Sequence, residues 1–347
     1  MRINNKALLA AAGIAAFAFS PANAYEGGFA SQEPGVFIGS SAGVPPPGIY
    51  MFNQVFTNQG NVAGPGTTTF GLGTRNSAHV TEYTAGFLFV PGWTFLGATY
   101  DAIIAQPFLE AAIGSPLGTA TIFGTPLVPA NVTSGIFNTY IAPVELSWKL
   151  GASGFAVKTG FGVFVPDGTK TGVTGLGNVG KPWYTFQPEL IVSYLGGGYN
   201  LSVALYEEIN TTSSVDNYTS GNIFHADFTA TKTFGKWTIG PVAHYVAQVT
   251  DDSCPIGTCR IAHPLGTAAN AQRYEVFAVG GLVEYNFGPA SLSVWATQDV
   301  SAKASGVVVP LLGGDPSVIT RGFTVFSTLS YRLWAPEEPA KAPLYHK

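Results

Sequence analysis

The sequence predicts an all-β chain, a transmembrane antiparallel up-and-down β-barrel of about 12 strands with long extracellular loops. Three observations predict it. Hydrophobic residues make up 46% of the chain and charged residues only 10%, whereas a soluble domain carries about 25% charged residues. No apolar run approaches the roughly twenty residues of a helical span. Apolar and polar side chains alternate with period two over runs long enough to cross a bilayer as tilted strands.

The alternation is clearest over 224–249, FHADFTATKTFGKWTIGPVAHYVAQV. Phe224, Ala226, Phe228 and Ala230 alternate with His225, Asp227, Thr229 and Thr231. Beyond Gly235-Lys236, the apolar set is Trp237, Ile239, Pro241, Ala243, Tyr245, Ala247 and Val249, with Thr238, Gly240, His244 and Gln248 between, a set broken by Val242 and Val246. Two long strands joined by a two-residue turn that opens on Gly read as a tight hairpin. Aromatic residues stand at the ends of the apolar face, as they do where a barrel wall meets the two membrane interfaces.

Residues 1–24 read as a secretory signal peptide. Arg2 and Lys6 precede an uncharged apolar run over 7–19, which ends at the small-residue site Ala22-Asn23-Ala24. That run is too short to span a bilayer. Residues 25–47, rich in Gly, Ser and Pro, read as an irregular N-terminal periplasmic segment. They end in Pro45-Pro46-Pro47-Gly48, and proline is kept out of central strands. The barrel takes 48–334. Its candidate strands are 49–59, 79–90, 94–106, 136–149, 155–165, 183–194, 199–210, 222–234, 237–250, 273–287, 291–300 and 322–334. A Pro-rich periplasmic tail, 335–347, follows.

The connections alternate in length. Those at 91–93, 150–154, 195–198, 235–236 and 288–290 are short. Those near 60–78, 107–135, 166–182, 211–221, 251–272 and 301–321 are long and rich in Gly, Pro, Thr, Asn and Asp. This alternation suits twelve antiparallel strands with both termini on one side. Bacterial barrels keep short turns in the periplasm and long loops outside.

Parity within each strand assigns the faces. The expected lumen lining is Glu82, Asp101, Glu145, Lys158, Gln187, Glu189, His225, Asp227, His244, Gln248, Glu275, Glu284, Trp295, Asp299 and Arg332. Neighbours such as Ala98, Tyr100, Phe161, Leu190, Phe228, Tyr245, Val283 and Val294 are expected to meet lipid. A cation at the lipid midplane costs about 2–4 kcal/mol, which makes the assignment discriminating. Counting outward from the Gly235-Lys236 turn sets Asp227 opposite His244. A similar count across a turn at 150–153 sets Glu145 opposite Lys158. Directly opposed Cβ atoms lie about 4.5–5.5 Å apart, so part of the acidic lining is expected to be neutralised internally.

Function classes narrow accordingly. The formal charge of −4, more negative once Arg2 and Lys6 are removed, excludes a basic nucleic-acid surface. The histidines at 79, 225, 244, 263 and 346 lie in no nucleophile motif, and no G-x-S-x-G occurs, so no enzymatic activity, catalytic residue or cofactor is expected. Cys254 and Cys259 lie in a polar stretch; in an exported chain they read as a loop disulfide. Two thiols alone make an incomplete metal site, and no metal is expected. The long connection 106–135, containing PFLEAAIGSPLGTATIFGTPLVPANVTSG, is apolar for an outer loop. It is either a greasy entry at the barrel mouth or a loop packed on its neighbours.

Several short signatures resemble one family. They are Glu26-Gly27-Gly28, Pro34-Gly35, Pro45-Pro46-Pro47-Gly48-Ile49-Tyr50, Ala142-Pro143 with Trp148, Val165-Pro166-Asp167-Gly168, Tyr218-Thr219-Ser220-Gly221 and Thr250-Asp251-Asp252. In their order and spacing they resemble the outer-membrane proteins called the MetA-pathway of phenol degradation family. The resemblance implies a bacterial outer-membrane barrel that passes small hydrophobic or aromatic compounds. Its expected partners are outer-membrane lipid, those solutes and the barrel-insertion machinery. The residues leave two alternatives open: a narrow porin for polar or cationic solutes, and a structural or surface barrel. The Cys254/Cys259 pair and the residues after Trp334 depart from the family pattern.

Overall fold

The computed structural model describes residues 30–69, 77–113, 121–122, 125–126, 132–169, 179–214, 219–253, 273–306, 308, 314–315, 317 and 319–337. The expected signal peptide, the cysteine pair Cys254/Cys259 and all but the start of the expected tail lie outside these residues.

Twelve long strands form the wall: β1 (Gly48–Ala63), β2 (Ser77–Val90), β3 (Ala98–Ile113), β4 (Thr139–Lys149), β5 (Phe155–Val165), β6 (Thr185–Gly196), β7 (Tyr199–Asn210), β8 (Ile223–Phe234), β9 (Trp237–Gln248), β10 (Arg273–Asn286), β11 (Ala290–Ser305) and β12 (Ile319–Trp334). Each pairs antiparallel with the next, and β1 pairs with β12 from Ile49↔Trp334 to Ala63↔Ile319. The ring is closed. Closure is what lets strands cross hydrocarbon, because every backbone donor finds a partner within the wall. The described residues include one helical turn, Gly66–Thr69.

The tight turns follow from local chemistry. Gly197 and Gly198, at φ 59° and 79°, join Gly196 to Tyr199 with two residues. A two-residue hairpin with both central residues at positive φ suits Gly-Gly and little else. The third strand was expected to begin at 94. Instead Thr94–Phe95 fold back on Thr99 and Ala98, so Ala98, expected at the lipid, is fully buried. The strand then runs on to Ile113, and Val132–Ile136 pair with its far half. The stretch 106–135 therefore begins and ends as sheet.

Burial alternates along the wall, as in β8 and β6. Phe161, Leu190, Phe228 and Val283 stand outward and exposed. Aromatic pairs collect at the short-turn end: Trp237 with Tyr285, Tyr285 with Phe287, Phe155 with Tyr194 and Trp93 with Tyr100. Near the long-loop end, Tyr184 and Phe161 each stack on Phe186, and Tyr83 lies near Phe108. These are the two interfacial girdles of a membrane barrel.

The largest difference from expectation is at the N-terminus. Residues 30–47 are irregular, but they do not lead up to the barrel from the periplasm; they occupy its lumen. Val36 N–H bonds Glu33 O across Pro34-Gly35, and Ser40 N–H bonds Phe37 O across Ile38-Gly39. Gly35 and Gly39 have φ 89° and 86°, the requirement of a type II turn at its third position. Two such turns in succession fold the segment compactly against the inner wall. Periodicity could not place it, because a segment of turns has no period.

The topology has a direct check. Epitope tags inserted near Gly64 and near Cys254 should be reachable on intact cells. A tag after Trp334 should be reachable only after the outer membrane is opened. Labelling of that last tag on intact cells would overturn the orientation.

Candidate functional site

The site is the lumen, built from inward-facing side chains and closed by residues 31–43. Glu208 on β7 receives two consecutive backbone amides, Ser31 N–H to Oε2 at 2.6 Å and Gln32 N–H to Oε1 at 2.9 Å. Its Oε1 also lies 3.0 Å from His225 Nε2 on β8. Asp227 accepts from Phe37 N–H at 2.9 Å and from Tyr206 Oη–H at 3.4 Å. Gly39 N–H donates to Thr229 and Ala42 N–H to Ser193. The Trp295 indole donates to Gly35 O at 3.1 Å. Hydrogen bonds to charged acceptors stabilise by about 1.5–3 kcal/mol each, and neutral ones by about 0.5–1.5. The wall thus recognises the segment through its backbone.

These contacts also give the segment's direction. Ser31 meets Thr185 and Glu208 at the long-loop end of β6 and β7, and Ala42 meets Ser193 near the short turn. The segment runs along the lumen before entering β1.

Apolar contacts fill the remainder. Ile38 packs among Phe56, Val242, Leu282, Trp295 and Phe326. Trp295 stacks on Phe326 at 4.8 Å between centroids, and Phe326 meets Phe56 at 4.8 Å. Ala42 packs with Ala156, Ile191 and Ala204. On the β3–β5 side, Phe137, Tyr140, Phe164 and Val179 form a further aromatic cluster.

A separate polar cluster lies on β3–β6. Lys158 Nζ bonds Asp101 at 3.0 Å and Glu145 at 2.8 Å. The register differs from the count: Lys158 opposes Ser147, and Glu145 opposes Gly160. The turn closes at Leu150 and Phe155, two positions in sum beyond the counted one, so the pair is diagonal and the long lysine bridges the offset. Glu189 is 5% exposed. A Cβ on Gly160 would stand 2.6 Å from its Oε1, so glycine there makes room for the carboxylate.

Asp227 opposes His244 as counted. They do not neutralise each other as expected, however: the Asp227 carboxylate is engaged by Phe37 and Tyr206. His244 lies instead against Gly35, where a Cβ would stand 2.8 Å from Nδ1.

The remaining expected lining divides as follows. Glu82, Gln187, His225, Gln248, Trp295 and Asp299 are buried. Gln248 bonds Asp252, and Asp299 accepts from Gly322 N–H. Glu284 is on the inward face near the short turns, bonded to Ser293, and Arg332 is exposed at the same end. Glu275 was expected inside and is outside: it pairs with Lys303 at 2.7 Å, Lys303 largely exposed and Glu275 partly so. Glu275 and Glu284 are nine positions apart, an odd number. In a strand without a bulge they must face opposite ways.

Sequence reasoning missed Glu208, Thr185, Ser193, Tyr206 and the loop residues Lys181 and Trp183. Parity held a signal for Glu208, since it shares a face with Tyr206 and Ala204. Lys181 Nζ bonds Ser31 Oγ at 3.0 Å and lies 5.6 Å from the Trp183 ring. Burial pushes Lys181 down to about 8, against the opposing pull of Glu208 and Glu33. Glu33 is pushed well above the usual carboxylate range, by burial first and by Glu82 second.

Comparisons place this geometry among known proteins. Residues 52–305 match the family described as "Putative MetA-pathway of phenol degradation". The COG4313 outer membrane channel from Pseudomonas putida F1 is similar in structure, with TM-score 0.62 and 10% identity over 86% of this chain and 99% of that one. The β domain of the Bordetella autotransporter BrkA gives TM-score 0.41 and 12% identity over 82% of this chain and 100% of that one. No curated protein matches.

Two outcomes follow. Gly35→Ala adds a Cβ against His244 at a backbone angle that costs an L-residue about 1–2 kcal/mol. It should loosen the segment and raise single-channel conductance while the barrel stays folded and heat-modifiable. Unchanged conductance would mean the segment does not occlude. For Lys181, a depressed folded pKa means that the unfolded chain binds the proton more tightly, so stability rises with pH from about 8 toward 10.5. Thermal unfolding in detergent should show this rise in the wild type. Lys181→Met should flatten that part of the profile.

Proposed function

Because the chain belongs to the MetA-pathway of phenol degradation family, we propose that it is a bacterial outer-membrane channel that passes small hydrophobic or aromatic compounds without acting on them chemically. The observation that carries this reading is the lumen's filling. Ile38 sits among Phe56, Trp295 and Phe326, a receptacle whose shape and chemistry suit an aromatic or aliphatic solute. A hydrated pore for polar solutes gains nothing from stacked rings. A solute of that class entering from the long-loop end would compete with Ile38 for the rings, and water would replace the amides on Asp227 and Glu208. Export by a cleaved signal peptide and insertion by the barrel machinery belong to the same reading.

The polar cluster on β3–β6 favours the narrow cation porin as a second reading, since Asp101, Glu145 and Glu189 gather around Lys158. One comparison separates the two. A strain lacking the protein should take up a small aromatic more slowly at limiting concentration, and Trp295→Ala with Phe326→Ala should slow uptake similarly. Normal aromatic uptake, combined with slowed entry of a small polar cation, would favour the porin.

A further inference from the structure

The distribution of positive charge on the outer surface is uneven. Nine lysines and arginines fall among the described residues. Lys158 and Lys181 are buried. Lys149, Lys232, Lys236 and Arg332 lie at the short-turn end. The other three, Arg273, Lys303 and Arg321, are exposed at the long-loop end of three consecutive strands, β10, β11 and β12.

All three stand on the lipid side. Arg273 and Glu275 share the outward parity of Phe277 and Val279, which are exposed. Lys303 opposes Glu275, and Ser305 opposes Arg273, so Arg273 and Lys303 are diagonal neighbours about 7–8 Å apart. Arg321 shares the parity of exposed Phe323. It reaches back to β11, with Nε 3.3 Å from Asp299 O and Nη2 3.2 Å from Val300 O. There the ladder between β10 and β11 shifts, Phe277 opposing Ser301 and Ala278 opposing Asp299.

Two carboxylates accompany the three cations. Asp251 holds Arg273 Nε at 2.6 Å, and Glu275 holds Lys303 Nζ at 2.7 Å. Tyr245 Oη–H also donates to Glu275, at 3.2 Å. Such exposed pairs contribute little stability, because solvent and salt screen them. They do keep the long side chains along the wall. Elsewhere on the same rim the outward residues include the acids Glu110 on β3 and Glu207 on β7. Among the described residues, the positive sector of this rim therefore lies on β10–β12.

A lipid-facing cation is tolerated only near an interface, where its desolvation cost nearly vanishes. There it meets headgroups. We propose that Arg273, Lys303 and Arg321 form a binding site for a phosphorylated glycolipid of the outer leaflet, seated on the outer face of β10–β12. This rests on the outer-membrane placement proposed above, not on the identity of the transported solute. Arginine presents a planar fork that takes phosphate oxygens in pairs, and lysine adds a compact charge. Hydroxyls of the sugar would donate to Glu275 and Asp251. A simple anion would be repelled by those carboxylates; a phosphorylated sugar satisfies both signs.

The test is native mass spectrometry of the full-length protein, delipidated and titrated with bisphosphorylated lipid A or with dephosphorylated lipid A. Wild type should bind the bisphosphorylated form preferentially. R273Q/K303Q/R321Q should bind it at least about tenfold more weakly, since each basic residue near a charged surface adds to the attraction. E110Q/E207Q should bind it as wild type does. If the triple variant does not fold, R321Q alone should show a smaller loss in the same direction. Equal binding by the triple variant, or equal binding of the two lipids by wild type, would overturn the proposal. Undiminished lipid binding by the triple variant, while aromatic uptake still depends on the protein, would count against the lipid site alone.

Discussion

The constraint behind every other feature is that backbone N–H and C=O groups in hydrocarbon must find partners inside the protein. The pairing of β1 with β12 meets it by abolishing the edge. Prolines then have to sit where a donor is dispensable. The β6–β7 ladder is broken around Pro188, where Phe186↔Ile209 is followed by Glu189↔Tyr206. The β8–β9 ladder likewise passes from Thr229↔Val242 to Lys232↔Ile239, skipping Pro241. Pro143 falls in the irregularity between Ile141 and Val144. Each break lies where a missing N–H would otherwise orphan a facing carbonyl.

A closed ring also dictates chemistry on its two faces. The outside meets lipid and is apolar with aromatic rims. The inside, too narrow to be left as bulk water, must satisfy its own polar groups. Glu208 and Asp227 are satisfied largely by amides of residues 31, 32 and 37. The bonds are strong but replaceable, since water can offer the same donors once the lumen opens. Buried carboxylates bonded to backbone amides, with Ile38 filling the aromatic cup, describe an occupant that is specific and yet displaceable.

Much of this was legible in the chain. Period-two alternation with a Gly-opened turn located β8 and β9 and set Asp227 opposite His244. The alternation of short and long connections gave twelve strands. Where the count slipped, the causes were local. The β4–β5 turn closes one residue later on each strand than expected, making Glu145 and Lys158 diagonal. Glu275 was placed by its character rather than its parity. The N-terminal segment was misplaced for a deeper reason: its conformation comes from Pro34-Gly35 and Gly39 turns, and its location from a wall assembled out of strands far away in sequence. No local pattern encodes a contact between Ser31 and Glu208.

That segment bears on how the ring comes together. Residues 31–43 bond β6, β7, β8 and β11 yet continue directly into β1, one side of the seam with β12. If they settle while the seam is open, the growing sheet simply curls around them, and Trp295 and Phe326 close over Ile38 from the last strands. If they settle afterwards, everything ahead of Gly43 must be fed lengthwise through a finished tube. The first route needs no threading and orders assembly in time: the sheet's interior is templated by the chain's own beginning, and the first and last strands meet as its final act.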